Sequence, residues 1–163
     1  MQLYAFHDTL TNLHNRFSGM LILEKLIAEK RKFALIFVDL DNLKYINDMH
    51  GHNEGDAYIL KTAEYLKTFS DDTVVCRIGG DEFMLLTPDV GYDDAQMKMD
   101  SLNQALQNDE YLTGKDFFYN ISFGICAVEE HNHMTASDIL SIADERMYEN
   151  KRLCKKARQN QNR

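Results

Sequence analysis

The stretch Val74-Val-Cys-Arg-Ile-Gly-Gly-Asp-Glu-Phe-Met-Leu-Leu-Thr-Pro88 decides how this chain folds. Two apolar runs, Val74–Ile78 and Phe83–Leu86, flank a Gly-Gly-Asp-Glu tip. This pattern predicts a β-hairpin, because a tight turn needs the positive φ that glycine adopts most easily. The tip presents two adjacent carboxylates, Asp81 and Glu82, beside two residues that leave room for a bulky anion. It favours a site for metal and phosphate, although the spacing alone is equally typical of a solvated acidic turn.

The bulk composition predicts one globular domain. The chain has 163 residues, of which 44% are hydrophobic and 27% charged, as in an ordinary soluble protein with a real core. The chain contains no apolar run of about 18 residues that could span a bilayer, and Met1–Phe6 is too short and polar for a signal peptide.

The cysteines Cys76, Cys126 and Cys154 lie far apart without C-x-x-C spacing. This favours reduced thiols in a cytoplasmic compartment and no zinc site.

The charge is distributed unevenly along the chain. A net charge of −8 argues against a surface that coats nucleic acid. Six of the 18 basic residues form a C-terminal group without acids: Lys151, Arg152, Lys155, Lys156, Arg158 and Arg163. Residues 1–150 therefore carry 12 basic against 26 acidic residues, or −14. The basic group is either a solvated tail or a cationic helix end that binds phosphate.

A second pair of carboxylates follows a predicted central strand. The continuous apolar run Phe33–Val38 is typical of a strand buried on both faces, and it ends in Asp39-Leu-Asp41. Residues two apart on a strand lie on the same face, so both carboxylates reach one edge of the sheet. Mg²⁺ prefers hard oxygen ligands from one or two carboxylates plus phosphate and water. Asp39 is therefore a candidate ligand, whereas Asp41 is equally well explained as a helix N-cap.

Hydrophobic periodicity predicts the other elements. They are a helix with Met20, Leu23, Leu26 and Ile27 inward and Lys30–Lys32 at its end, a helix over Asn42–His50 ended by Gly51, a polar turn over Gly51–Asp56, helices over Ala57–Phe69 and Asp93–Leu106, a strand over Asp116–Val128, and a last helix over Ala136–Lys151. The order helix, strand, two helices, hairpin, helix, strand, helix predicts an α+β fold. Its central sheet is expected to be mostly antiparallel with flanking helices.

Several segments together resemble the diguanylate cyclase (GGDEF) family over nearly the whole chain. The matching segments are Arg77–Phe83, the signature hairpin without a substitution; Asp39–Asp56, which follows D-x-D-x-F-K-x-I-N-D-x-x-G-H-x-x-G-D with Leu43 for Phe; Asp8–Arg16, which follows D-x-L-T-G-L-x-N-R with Asn12 for Gly; Ser122–Ile125; and Ala143–Lys151. Asn tolerates left-handed backbone geometry, so the change at Asn12 is minor. The resemblance implies the palm-like fold of nucleotidyl cyclases and polymerases.

The resemblance also implies an activity, namely condensation of two GTP into cyclic di-GMP and two pyrophosphates. The expected catalyst is a face-to-face homodimer of one GGDEF domain, residues 1–163 with a basic tail at 153–163, located in the cytoplasm. Such domains usually follow a sensor, so we expect this chain to be the C-terminal piece of a longer protein that could be membrane-anchored. No nucleic-acid partner and no membrane segment in this piece are expected. The alternative is a catalytically silent module for GTP binding or dimerisation.

Site residues are carried over from the family position by position. Mg²⁺ or Mn²⁺ is expected on Asp39, the Leu40 carbonyl, Asp81 and Glu82, and either Asp81 or Glu82 is expected to be the general base. Lys44 is expected to neutralise triphosphate charge, and His52 to lie near the substrate. Lys151 and Lys155 are expected to hold the β- and γ-phosphates. Asn47 and Asp56 are assigned to guanine. An amide and a carboxylate match its O6, N1 and N2 groups, whereas adenine would leave the carboxylate unpaired.

Two departures from the family pattern carry expectations of their own. Lys155 replaces an Arg, which keeps the charge but loses the bidentate fork, so a lower affinity for triphosphate is expected. Many relatives carry an inhibitory R-x-x-D site for product before the hairpin, where this chain has Ser70-Asp-Asp-Thr73. No product feedback through that site is expected.

Overall fold

A computed structural model describes residues 5–161. The beginning of the segment Met1–Phe6 and the tail residue Arg163 lie outside the described residues. The elements are β1 (His14–Asn15), α1 (Arg16–Ala28), β2 (Phe33–Leu40), α2 (Leu43–His50), α3 (His52–Lys67), β3 (Val74–Arg77), β4 (Glu82–Pro88), α4 (Tyr92–Gln107), a 3₁₀ helix (Glu110–Leu112), β5 (Ile121–Val128) and α5 (Ala136–Gln161). This order confirms the predicted α+β fold. None of the helices within 5–161 is both long and apolar enough to cross a membrane.

The five strands form one open, mixed sheet in the order β1-β3-β4-β2-β5. The pairs β3–β4, β4–β2 and β2–β5 are antiparallel. The two-residue strand β1, which periodicity does not reveal, pairs in parallel with β3. The prediction of a mostly antiparallel sheet is therefore confirmed, with β2 in its interior.

Helices cover both faces of the sheet. Side chains of α1 and α5 pack with Phe33 and Leu35 of β2 on one face. Side chains of α2, α3 and α4 pack with Ala34, Ile36 and Val38 on the other. Burial of both faces explains why β2 is a continuous apolar run rather than an alternating one. Since side chains alternate along a strand, Asp39 follows Phe33 and Leu35 onto the face that α5 covers.

Helix α5 packs very close to strand β5. A methyl group on Gly124 would overlap the backbone of α5 at Ala143 and Met147. Glycine is therefore required here by contact, and it lets α5 lie directly on the sheet. Because α5 packs on the sheet in this way, Lys151 of α5 reaches Asp39 near the end of β2.

Three predicted boundaries are wrong. The helix α3 begins at His52 rather than Ala57, because Gly51 (φ 89°) reverses the chain in one residue and the supposed polar turn becomes the first turns of the helix. The strand β5 begins at Ile121 rather than Asp116, because its partner β2 ends at Leu40, opposite Ile121. The last helix continues through the basic residues to Gln161, so the described part of the tail is helical.

Candidate active site

The signature hairpin forms as predicted, but its glycines act differently. The backbone amides of Ile78 and Gly79 donate to the carbonyl of Glu82, at 2.9 and 3.3 Å. Neither Gly79 nor Gly80 adopts a positive φ, so the predicted reason for glycine is wrong. A Cβ at Gly79 would lie 2.7 Å from Oε2 of Glu82, so the missing side chain makes room for that carboxylate.

The tip of the hairpin is held by an ionic contact to the N-terminal part of the chain. Arg77 donates from Nη2 to the carbonyl of Gly80 (2.9 Å) and from Nη1 to both carboxylate oxygens of Asp8 (3.1 and 3.2 Å). Asp8 also accepts from the backbone amide and hydroxyl of Thr11, at 2.8 and 2.7 Å. Burial acts to raise the pKa of Asp8, but the bonds from Thr11 and the charge of Arg77 lower it. This role of Arg77 was not predicted from the sequence, although its place within the signature heptapeptide is a signal that could have shown it.

Two candidate metal ligands lie directly opposite each other on neighbouring strands. Asp39 of β2 pairs with Glu82 of β4 in the antiparallel register, and Asp39 is only 7% exposed. Burial raises the pKa of Asp39, with the charge of Asp81 adding to it, although Lys151 acts in the opposite direction. Burial and the charges of Asp81, Asp39 and Asp144 raise the pKa of Glu82. Facing carboxylates destabilise a strand pair, so this arrangement favours a cation.

Lys151 supplies one cation to this cluster. Its Nζ donates to Oδ1 of Asp39 over 2.7 Å. Burial acts against protonation of Lys151, but the bond to Asp39 prevails and raises its pKa. Lys155 follows one turn later, and both lysines line a cavity of about 400 Å³ together with Asp39 and Asp144. Two lysines that the family resemblance assigns to phosphate therefore line the same cavity as the buried carboxylate of Asp39.

Asp41 does not cap a helix. The N-cap of α2 is Asn42, in left-handed geometry (φ 63°), and no side-chain bond caps that helix. The buried carboxylate of Asp41 instead accepts from Asn120 Nδ2 (2.6 Å) and Ser122 Oγ (2.8 Å). The hydroxyl of Tyr58 donates to the carbonyl of Asn120 at 2.6 Å. Asp41 therefore ties the end of β2 to the start of β5, which is why the N-cap interpretation is wrong.

The other predicted substrate residues lie on α2 and α3. Lys44, His52 and Asp56 are exposed. The side-chain amide of Asn47 lies against Gly55, where a methyl group would overlap it. Within residues 5–161, no hydrogen bond or ion pair joins any of these four side chains to the carboxylate cluster. Their assigned roles, and that of the Leu40 carbonyl, stay predictions.

The carboxylate cluster suits a metal that shares its ligands with a substrate. Within the described range, no three His, Cys, Asp or Glu side chains gather into a complete protein cage for an ion. Mg²⁺ is typically held by one or two carboxylates and completes its coordination with phosphate oxygens and water. The facing pair Asp39 and Glu82, with Asp81 beside them, provides this kind of donor set.

Comparisons with known proteins show what this chain is similar to. Residues 5–157 match the family model described as "Diguanylate cyclase, GGDEF domain". Among Escherichia coli (strain K12) proteins, the chain is 33% identical over 153 residues to the "Probable diguanylate cyclase DgcE", covering 90% of the chain and 14% of that relative. It is 32% identical over 154 residues to the "Diguanylate cyclase DgcP", covering 91% and 45%. The chain thus spans less than half the length of these two relatives.

The fold is similar to a solved structure as well. The crystal structure of the coiled coil and GGDEF domain of DgcB from Caulobacter crescentus, in complex with c-di-GMP, superposes with a TM-score of 0.84. The match covers 93% of this chain and 83% of that one, at 22% identity. At that identity the likeness concerns the fold alone, and it agrees with the palm-like fold that the family resemblance implies.

Proposed function

The chain belongs to the diguanylate cyclase GGDEF domain family, and we propose that it condenses two GTP into cyclic di-GMP with release of two pyrophosphates. The observation that carries this proposal is the buried Asp39 facing Glu82 across two strands, with Lys151 bound to Asp39. Lys151 neutralises Asp39, but within residues 5–161 no ion pair neutralises Asp81 or Glu82, and Lys155 has no acidic partner there either. A metal-bound triphosphate would provide a cation for the two carboxylates and an anion for Lys155.

We propose that the carboxylates hold Mg²⁺ or Mn²⁺. Asp39, Asp81, Glu82 and the carbonyl of Leu40 would be its ligands, and the ion when bound would polarise the α-phosphate and acidify the attacking hydroxyl. Asp81 or Glu82 would accept the proton of that hydroxyl. Burial and the charges of neighbouring carboxylates raise the pKa of Glu82, and a bound cation would oppose both effects, so the raised pKa is compatible with Glu82 as ligand or as base.

The cations of α5 and α2 would bind the triphosphate. Lys151 and Lys155 line one cavity with Asp39, so phosphates entering it meet two positive charges beside the metal ligands. In this step Lys151 would exchange its bond to Asp39 for one to phosphate, leaving Asp39 free for the ion. Lys44 is exposed on the first turn of α2, where it would neutralise further charge as it develops.

Guanine would be selected by Asn47 and Asp56. Gly55 leaves space for the amide of Asn47, and Asp56 follows Gly55 directly on α3. An amide and a carboxylate so placed can pair with the Watson–Crick edge of guanine. His52, one turn before Asp56 on the same helix, would lie near the bound nucleotide.

We propose that catalysis occurs between two protomers, each carrying one GTP. Each 3′-hydroxyl would attack the α-phosphorus bound to the partner, and pyrophosphate would leave in line. Positioning and neutralisation of charge would then provide most of the acceleration. The expected setting is a cytoplasmic homodimer in which residues 1–163 form one catalytic unit controlled by an upstream sensor domain.

A direct assay tests this function. A concentrated sample is incubated with GTP and Mg²⁺, and the nucleotides are separated by chromatography over time. Cyclic di-GMP that forms with a steeper than linear dependence on protein concentration is the expected result. The alternative result is GTP that binds, which a rise in Tm would reveal, and yet stays unchanged. That result would support the catalytically silent module, which is favoured by the departures from the family pattern at Leu43 and Lys155.

Product should not inhibit through the segment before the hairpin. Ser70 and Thr73 bond to each other (Oγ to Oγ1, 2.6 Å), and Asp71 and Asp72 between them are exposed. Such a segment repels the phosphates of cyclic di-GMP and has no cation to attract them. The inhibition constant for product is expected to be equal in the parent and in the double variant Asp71→Ala, Asp72→Ala. Noncompetitive inhibition that changes in this variant would contradict the prediction.

A further inference from the structure

A second cavity lies on the far side of Lys155, at the C-terminal end of α5. Its volume is about 580 Å³, within the range of small-molecule sites. Seven residues line it, namely Asn42, Gln107, Phe118, Tyr119, Lys155, Arg158 and Gln159. The metal ligands proposed above and the residues assigned to guanine do not line it.

An aromatic ring and a guanidinium form one wall of this cavity. Phe118 precedes β5 and is 48% exposed, although phenylalanine is an apolar side chain. The guanidinium carbon of Arg158 lies 4.5 Å from the centre of its ring. Arg158 thus lies over one face of this ring, and exposed aromatic rings and guanidinium planes are surfaces on which nucleobases stack with little dependence on the base.

The cavity is also positively charged. Lys155 makes no ion pair with the residues that the structure describes, and none of the seven lining residues carries a carboxylate. The nearest recorded acid to Arg158 is Asp41, 3.8 Å from its Nη2. That carboxylate is buried and also accepts hydrogen bonds from Asn120 and Ser122, so Arg158 shares its charge with Asp41. Lys155 is therefore available to an anion, and Arg158 adds positive charge beside it, in a chain whose net charge is −8.

Amide groups complete the lining. Gln107 donates from Nε2 to Asn120 Oδ1, which leaves its own oxygen as an acceptor toward a ligand. Asn42 and Gln159 are exposed at the same cavity and each offers a donor and an acceptor. Together with the ring and the cations, these groups match a flat polar base joined to phosphates.

We infer that this cavity binds a nucleoside phosphate, with the base stacked on Phe118 and the phosphates on Lys155 and Arg158. This site shares Lys155 with the one that the proposed function uses for GTP but places the base on Phe118, and binding there does not require turnover. Lys155 lines both cavities, so a variant at this position cannot distinguish them. Phe118 and Arg158 line only the second.

The test is equilibrium binding of ADP, measured by calorimetry on the whole chain. Adenine does not match Asn47 and Asp56, so ADP reports on the second cavity. We expect Phe118→Ala to weaken ADP binding roughly tenfold, since one base stack is lost. Arg158→Ala should weaken it by a similar factor through loss of a charge-assisted bond to phosphate. Phe17→Ala, which removes another exposed ring, on α1, and Asp56→Ala should leave the affinity for ADP unchanged.

Each result has one interpretation. ADP affinity that is the same in the parent, Phe118→Ala and Arg158→Ala overturns the inference, as does no ADP binding at concentrations on the order of 1 mM. Loss of binding in Asp56→Ala overturns it too, because the nucleotide then occupies the guanine site. Binding of a poly-glutamate peptide without binding of ADP overturns it in favour of an acidic peptide. A chain that makes no cyclic di-GMP yet binds ADP through Phe118 keeps this inference while the proposed function fails.

Discussion

Replacing Asp81 with Ala is expected to abolish formation of cyclic di-GMP while the domain stays folded. The loss should be about 1000-fold or more, the scale on which removal of one preorganised electrostatic group slows an enzyme. The fold should survive because, among residues 5–161, the side chain of Asp81 makes no hydrogen bond or ion pair, while its backbone carbonyl, which alanine keeps, accepts from the amide of Leu40 at 2.9 Å. Removal of a charge that repels Asp39 and Glu82 should leave Tm unchanged or slightly higher.

The measurement compares turnover and thermal unfolding for Asp81→Ala with the same quantities for Asp72→Ala. Asp72 is an exposed acid at the base of the same hairpin, so it controls for loss of negative charge alone. Full activity in Asp72→Ala and none in Asp81→Ala is the expected pair of results. Retained activity in Asp81→Ala would show that the hairpin carboxylate is not part of the catalytic machinery.

The largest effect on stability is expected from Gly124→Ala. The added methyl would overlap the backbone of α5 at Ala143 and Met147, and a helix backbone cannot rotate aside as a side chain can. We expect the free energy of unfolding to fall by about 3 kcal/mol, the upper part of the usual range for overpacking. For a domain of this size the corresponding loss in Tm is roughly 10 °C.

Gly80→Ala is the matched control. No heavy atom lies within 4 Å of a Cβ placed at Gly80, and its φ is outside the left-handed region. Its unfolding free energy, measured by denaturant titration, should stay within about 0.5 kcal/mol of the parent, as for a surface substitution. If Gly124→Ala and Gly80→Ala had the same free energy of unfolding, this would contradict the close packing of the α5 backbone on β5.

The sequence by itself determined the local elements and the family. The hairpin, the strand that ends at Asp39 and the helix that carries Lys151 could all be predicted, because periodicity and turn residues act over a few positions. Boundaries that depend on a distant partner could not. The start of β5 at Ile121 is set by the end of β2, and the start of α3 at His52 by the backbone angle of Gly51.

Only the tertiary structure decided how the site is arranged. Asp39 faces Glu82 because β2 and β4 pair in one register, and Arg77 reaches Asp8 across 69 positions of sequence. Asp41, which a local rule assigns to a helix cap, is bound by side chains of β5 and the residue before it. The physical reason is that a sequence pattern records each residue's preference for its neighbours along the chain. Facing carboxylates, buried ion pairs and shared cavities arise only when separate elements pack together.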